Sequence, residues 1–135
     1  MDCIFCKIVA GEIPSYRIYE DKETLAFLDV GPVNYGHTLV IPKKHVENLE
    51  TIDEETLGKV VMTVKKVGRS IKTGLGAKGY NIGLNNDQVA GQIIPHLHFH
   101  VMPRTEGDGL KLWPQGKYGE GEAEEAMKKL KAQFN

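Results

Sequence analysis

Three of the five histidines in this 135-residue chain fall within five residues of one another, in Pro95-His-Leu-His-Phe-His-Val-Met102. Side chains alternate faces along a strand, so an extended 97–102 segment puts His96, His98 and His100 on one face. Leu97, Phe99 and Val101 then share the other face and suit a core. Successive imidazoles would stand about 7 Å apart. Near neutral pH they offer nucleophilic, acid–base or metal-binding chemistry. Two readings stay open on spacing alone. The three rings could hold one catalytic metal, as in some zinc hydrolases. Alternatively they could divide the work, one attacking phosphorus while its neighbours position charge.

The two cysteines, Cys3 and Cys6, form a C-x-x-C pair. Two cysteines make no disulfide framework. The first ten residues have neither a basic n-region nor a long apolar run, so no signal peptide is expected. No window approaches the roughly 20 apolar residues of a membrane span. The expected setting is therefore cytoplasmic, where such a pair serves metal binding or redox chemistry.

The elements that must position these groups can be read from periodicity. Short strands are expected at 16–19, 24–28, 38–42, 80–84 and 97–102. Leu57, Val60, Val61, Val64, Val67 and Ile71 recur at helical spacing, which predicts a long helix over 53–73. Thr51 with Glu54 would cap its start, and Gly74 would stop it. A polar loop follows at 85–92, and a Gly/Pro-rich stretch carrying Trp113 at 103–121. An amphipathic helix over 122–134 ends the chain, with Ala123, Ala126, Met127, Leu130 and Phe134 on one face. Strands before and after one long helix point to an α+β fold with a five-stranded antiparallel sheet. The length fits a single domain, 1–135, with its core at 3–104. Lys plus Arg number 17 against 18 Asp plus Glu, for a net charge of -1. That balance argues against a nucleic-acid polymer as partner, while leaving room for one small anionic ligand.

His96-Leu-His-Phe-His-Val-Met102 resembles the signature of the histidine triad (HIT) family of nucleotide hydrolases and transferases. Cys3-Ile-Phe-Cys-Lys-Ile8, Glu12-Ile-Pro14, Leu25-Ala-Phe-Leu-Asp29, Gly36-His-Thr-Leu-Val-Ile-Pro-Lys-Lys-His45 and Asn85 with Gly91-Gln92 are similar to further family blocks. These run in order from Cys3 to about Arg104, and the whole looks most like small prokaryotic members with a C-terminal helix. The resemblance implies hydrolysis of purine nucleoside 5′-phosphate conjugates, either dinucleoside polyphosphates or phosphoramidates, through a covalent nucleotidyl-histidine. His98 would attack the α-phosphorus, and His100 would contact the phosphate and the bridging oxygen. Gln92 and the amides near Gly91 would stabilise phosphoryl charge. Asp29 would accept the ribose hydroxyls, Phe27 and Ile8 would wall the base, and Asn85 would lie near the ribose and phosphate. His37 would support the triad; the residues alone fit a structural histidine equally well. Zinc held by Cys3, Cys6, His45 and His96 is implied, as is a homodimer with continuous sheets. Trp113 would either reach the partner's site or anchor within its own subunit. One departure stands out. Ile93 occupies a position where many members carry Ser or Thr, whose hydroxyl protonates the leaving group. This counts against amine leaving groups.

Overall fold

In the computed structural model, which describes residues 2–134, five antiparallel strands form one sheet. In chain order the elements are α1 (Ile4–Val9), β1 (Arg17–Glu20), β2 (Thr24–Leu28), β3 (Thr38–Pro42), α2 (Glu54–Leu75), β4 (Gly79–Leu84), β5 (Phe99–Arg104) and α3 (Glu122–Lys131). The strands lie in the order β1-β2-β3-β5-β4. β5 is therefore interior, paired with β3 through Leu39 and His100 and with β4 through Gly83 and His100.

Alternation along the strands builds two cores, one on each face of the sheet. On one face Ala26, Val40, Leu97 and Val101 meet Val60, Val64, Val67 and Ile71 of α2, all buried. This is the expected apolar stripe of the long helix, buried where its period of 3.6 faces the sheet. On the other face Leu25, Phe27, Leu39 and Ile41 meet Cys3, Phe5 and Ile8 around α1. His98 and His100 belong to this second face, because their neighbours Leu97, Phe99 and Val101 face α2.

Several boundaries differ from expectation, each for a local reason. α2 is capped by Asp53, whose carboxylate accepts the Thr56 amide at 3.0 Å. Thr51 forms no capping box; it bonds Asn48 instead. The helix passes Gly74 and ends at Gly76, which takes the left-handed φ of 70° that a C-cap favours. β5 begins at Phe99 rather than 97, so His96 and His98 sit in the approach to the strand. The α1 turn was not anticipated; Cys3 caps it, its Sγ accepting the Cys6 amide at 3.4 Å. α3 is shorter than expected, and none of its residues is buried. Met127, Leu130 and Phe134 leave its apolar side open to solvent. Trp113, 88% exposed, is not anchored on its own chain.

Among the described residues, no helix is long and apolar enough to cross a membrane.

Candidate active site

The approach to β5 delivers the three histidines to two different places. His96 is fully buried and turns toward the N-terminus. Its Nε2 donates to the Pro42 carbonyl at 2.8 Å, which leaves a bare lone pair on Nδ1. That lone pair lies 3.4 Å from Cys3 Sγ, 3.7 Å from Cys6 Sγ and 3.2 Å from His45 Nδ1. His45 Nδ1 is in turn 3.4 Å from Cys6 Sγ. All four donor atoms lie within 4.8 Å of one another. Around a tetrahedral zinc, edges of about 3.3 Å between nitrogens and about 3.6 Å between nitrogen and sulfur follow from the usual bond lengths. The cluster therefore fits such an ion in donor type, spacing and tautomer. Burial and the neighbouring Cys3 raise the Cys6 thiol above its ordinary pKa, so a cation there would also be what makes it a thiolate.

This disposition removes the reading in which the three triad histidines jointly hold a catalytic metal. His96 Nδ1 faces the cysteines, and among the described residues the clusters of potential ligands are Cys3, Cys6, His45, His96 and, separately, Asp29, His37, His100.

His98 and His100 instead line a cavity of about 460 Å³ on the α1 face. His98 Nδ1 donates to the carbonyl of His96 at 2.8 Å, which fixes its tautomer and leaves the Nε2 lone pair free. Burial holds the pKa of His98 below the ordinary histidine value. Burial also holds His96 and His100 down to about 4. The site thus keeps neutral imidazoles at pH 7, the form that can attack phosphorus.

The opposite wall is apolar. Ile8 and Phe27 are buried and line the cavity with Ile4, Phe5, Ile13 and Leu39. Phe5 was missed by sequence reasoning. Its ring stands edge-on to Phe27, His96 and His98, with centroids 5.6, 5.8 and 5.1 Å away. The signal was its place inside Cys3-Ile-Phe-Cys6, since a helical turn that turns both thiols inward brings Phe5 with them.

Asp29, at the end of β2, lines the same cavity. One carboxylate oxygen accepts the Gly31 amide at 2.8 Å and the other lies 3.6 Å from His37 Nε2. It is at once the turn residue and a cavity acceptor. His37 is 3% exposed; its Nε2 is 2.9 Å from His100 Nδ1, and its Nδ1 accepts the Val33 amide at 3.1 Å.

The loop 85–94 differs most from expectation. Asn85 and Gly91 line the cavity, and Gly91 has a φ of 101° that L side chains rarely adopt. A Cβ there would also crowd Asn85 Nδ2 at 3.3 Å. Gln92 does not reach the cavity. Its amide donates to the Glu47 and Ile94 carbonyls, and its oxygen accepts the Asp87 amide. The backbone amides of Gly91 and Gln92 are likewise committed, to the Gln88 and Asp87 carbonyls. Together these bonds brace and shape the loop. A second cavity of about 450 Å³, between α2 and the β1–β3 side of the sheet, contains none of this chemistry.

The HIT domain sequence pattern matches residues 10–107. An uncharacterised HIT-like protein of Methanocaldococcus jannaschii is 48% identical over 132 residues, 96% of this chain and 98% of its own. The adenosine 5′-monophosphoramidase hnt1 of Schizosaccharomyces pombe is 42% identical over 116 residues, 84% of each chain. Among solved structures, a HIT family member from Bacillus subtilis has a TM-score of 0.90 and 37% identity, covering 100% of this chain and 99% of its own. A Zn-bound histidine triad family protein from Mycobacterium smegmatis has a TM-score of 0.79 and 38% identity, covering 98% of both chains. With its fold, its His-x-His-x-His segment and its relatives in agreement, the chain belongs to the HIT family and is a HINT-like member of it.

Proposed function

We propose that the protein is a nucleotidyl hydrolase that releases a nucleoside monophosphate from purine nucleoside 5′-phosphate conjugates through a covalent intermediate on His98. The observation that carries the reading is the bond from His98 Nδ1–H to the His96 carbonyl, which leaves Nε2 as a free nucleophile in a ring that lines the cavity. That lone pair forms a bond to the α-phosphorus while the bond to the leaving group breaks and its electron pair departs. Water then adds to the same phosphorus, the P–N bond breaks, and the protons pass to solvent. His100 binds the phosphoryl oxygens. Asp29 accepts the ribose hydroxyls, Asn85 lies beside the sugar and phosphate, and Phe27 and Ile8 flank the base. His37 and Gln92 act through other groups, His37 through His100 and Gln92 through the loop.

Zinc on Cys3, Cys6, His45 and His96 is part of this reading. When bound it supplies no step of the reaction; it ties the N-terminal turn to the segment that carries the His96 carbonyl. A homodimer is also part of it. Support comes from the edge position of β4, with Ile82 half exposed, and from the uncovered apolar side of α3. The test is turnover of a panel of adenosine and guanosine conjugates by the wild type and by His98→Ala, with nucleotide binding measured in parallel. Turnover lost with binding kept supports the reading, and normal turnover by the variant overturns it.

A further inference from the structure

The second cluster, Asp29, His37 and His100, has the look of a metal site, with two imidazoles and a carboxylate within 4.8 Å. The hydrogen bonds argue otherwise. The Val33 amide can only donate, so His37 Nδ1 must accept from it and carries no proton. A neutral His37 therefore carries its proton on Nε2, where a metal would have to bind. That proton points at His100 Nδ1, 2.9 Å away, while the Asp29 carboxylate lies 3.6 Å off, beyond hydrogen-bond distance. His100 Nδ1 then accepts, and its own proton is on Nε2.

We infer that the Val33 amide, acting through His37, fixes His100 as its Nε2–H tautomer, so that the site gives the departing atom a hydrogen bond but no transferable proton and selects leaving groups that depart as stable anions. The inference rests on the hydrolase reading above. If His100 gave up its proton, the chain Val33–His37–His100 would be left with an anionic imidazole, since the one proton His37 carries is already shared with His100 Nδ1 and the Val33 amide has none to give. The burial that holds His100 near 4 also keeps it neutral rather than imidazolium. Nothing else on the cavity wall takes over. Ile93, 89% exposed, lines the cavity with a hydrocarbon side chain. Among the described lining residues, the one hydroxyl belongs to Ser15, and its Oγ is buried. Phosphate, sulfate and carboxylate leave with the electron pair of the broken P–O bond and need no proton. An amine leaving across a P–N bond must gain one. The favoured substrates are therefore acid anhydrides of the nucleotide rather than its amides, and His37 is a positioning residue for His100.

Two measurements test this together. In the first, kcat/KM is compared for adenosine 5′-phosphosulfate and adenosine 5′-phosphoramidate. The expected anhydride preference is about tenfold or more, and Ile93→Ser should narrow it several-fold by introducing a hydroxyl. In the second, ¹⁵N NMR of the histidine rings reads the tautomer of His100. The expected form is Nε2–H in the wild type and in His37→Gln, whose amide can still donate to Nδ1, with the bias lost in His37→Ala. Equal or faster phosphoramidate cleavage by the wild type overturns the inference, as does an Nδ1–H His100. Turnover of neither substrate would instead overturn the hydrolase reading, and the NMR result would still decide the tautomer.

Discussion

His98 Nδ1 lies 2.8 Å from the carbonyl oxygen of His96, two residues earlier in the same chain. The bond makes the backbone that carries the buried His96 ring also set the protonation pattern of the His98 ring. His98→Ala is therefore expected to lower kcat by about a thousandfold or more while changing nucleotide affinity only a few-fold. Single-turnover kinetics and equilibrium binding separate the two effects.

His96 connects this chemistry to the N-terminus. The protein as purified is expected to carry one zinc per chain. Removing it with a chelator, or replacing a ligand in Cys6→Ser, should lower Tm by roughly 5–15 °C. Metal analysis with scanning calorimetry checks this. A metal-free protein of unchanged Tm and unchanged metal content in Cys6→Ser would both count against the cluster as a zinc site.

Acid should act on stability and activity in the same direction. His37, His96, His98 and His100 all have folded pKa values lowered by burial, to about 4 for His96 and His100. Between the ordinary value near 6.5 and about 4 the unfolded chain binds more protons than the folded one, so stability falls as pH falls through that window. Above 6.5 the contribution is fully present. In metal-free protein, urea midpoints at pH 7.5, 6 and 5 should therefore decline in that order. The acid limb of kcat/KM should have its midpoint below 6.5, because the proposed attack needs a neutral His98.

The contact between α2 and β4 is tight at one glycine. A Cβ at Gly68 would collide with the Tyr80 ring, whereas one at Gly58, in the same helix, meets nothing within 4 Å. Gly68→Ala should cost about 1–3 kcal/mol through overpacking. Gly58→Ala should stabilise by up to about 1 kcal/mol through helix propensity. Urea denaturation of the two variants gives the comparison.

Much of this was legible in the sequence because period and burial agree. The alternation of Leu97, Phe99 and Val101 put His98 and His100 on the opposite face, and the valines of α2 marked its buried stripe. The division of the triad was less visible. Which way His96 turns depends on Pro42, 54 residues away, and on a thiol pair brought up by a six-residue helix too short to show a period. The loop contacts of Gln92 were hidden for a similar reason. A side-chain amide serves a ligand or a loop equally well, and the Glu47 and Ile94 carbonyls that claim it are known only from the fold. The role of Val33 left no trace in the sequence, since it works through its backbone amide.

The proposed mechanism requires a bond between phosphorus and one imidazole. Mass spectrometry of protein quenched during turnover with adenosine 5′-phosphosulfate reads that bond directly. The expected result is the added mass of one adenylyl group, mapped to His98 and absent in His98→Ala. Turnover that proceeds with no adduct in rapidly quenched wild type, or with the adduct on another residue, would contradict it.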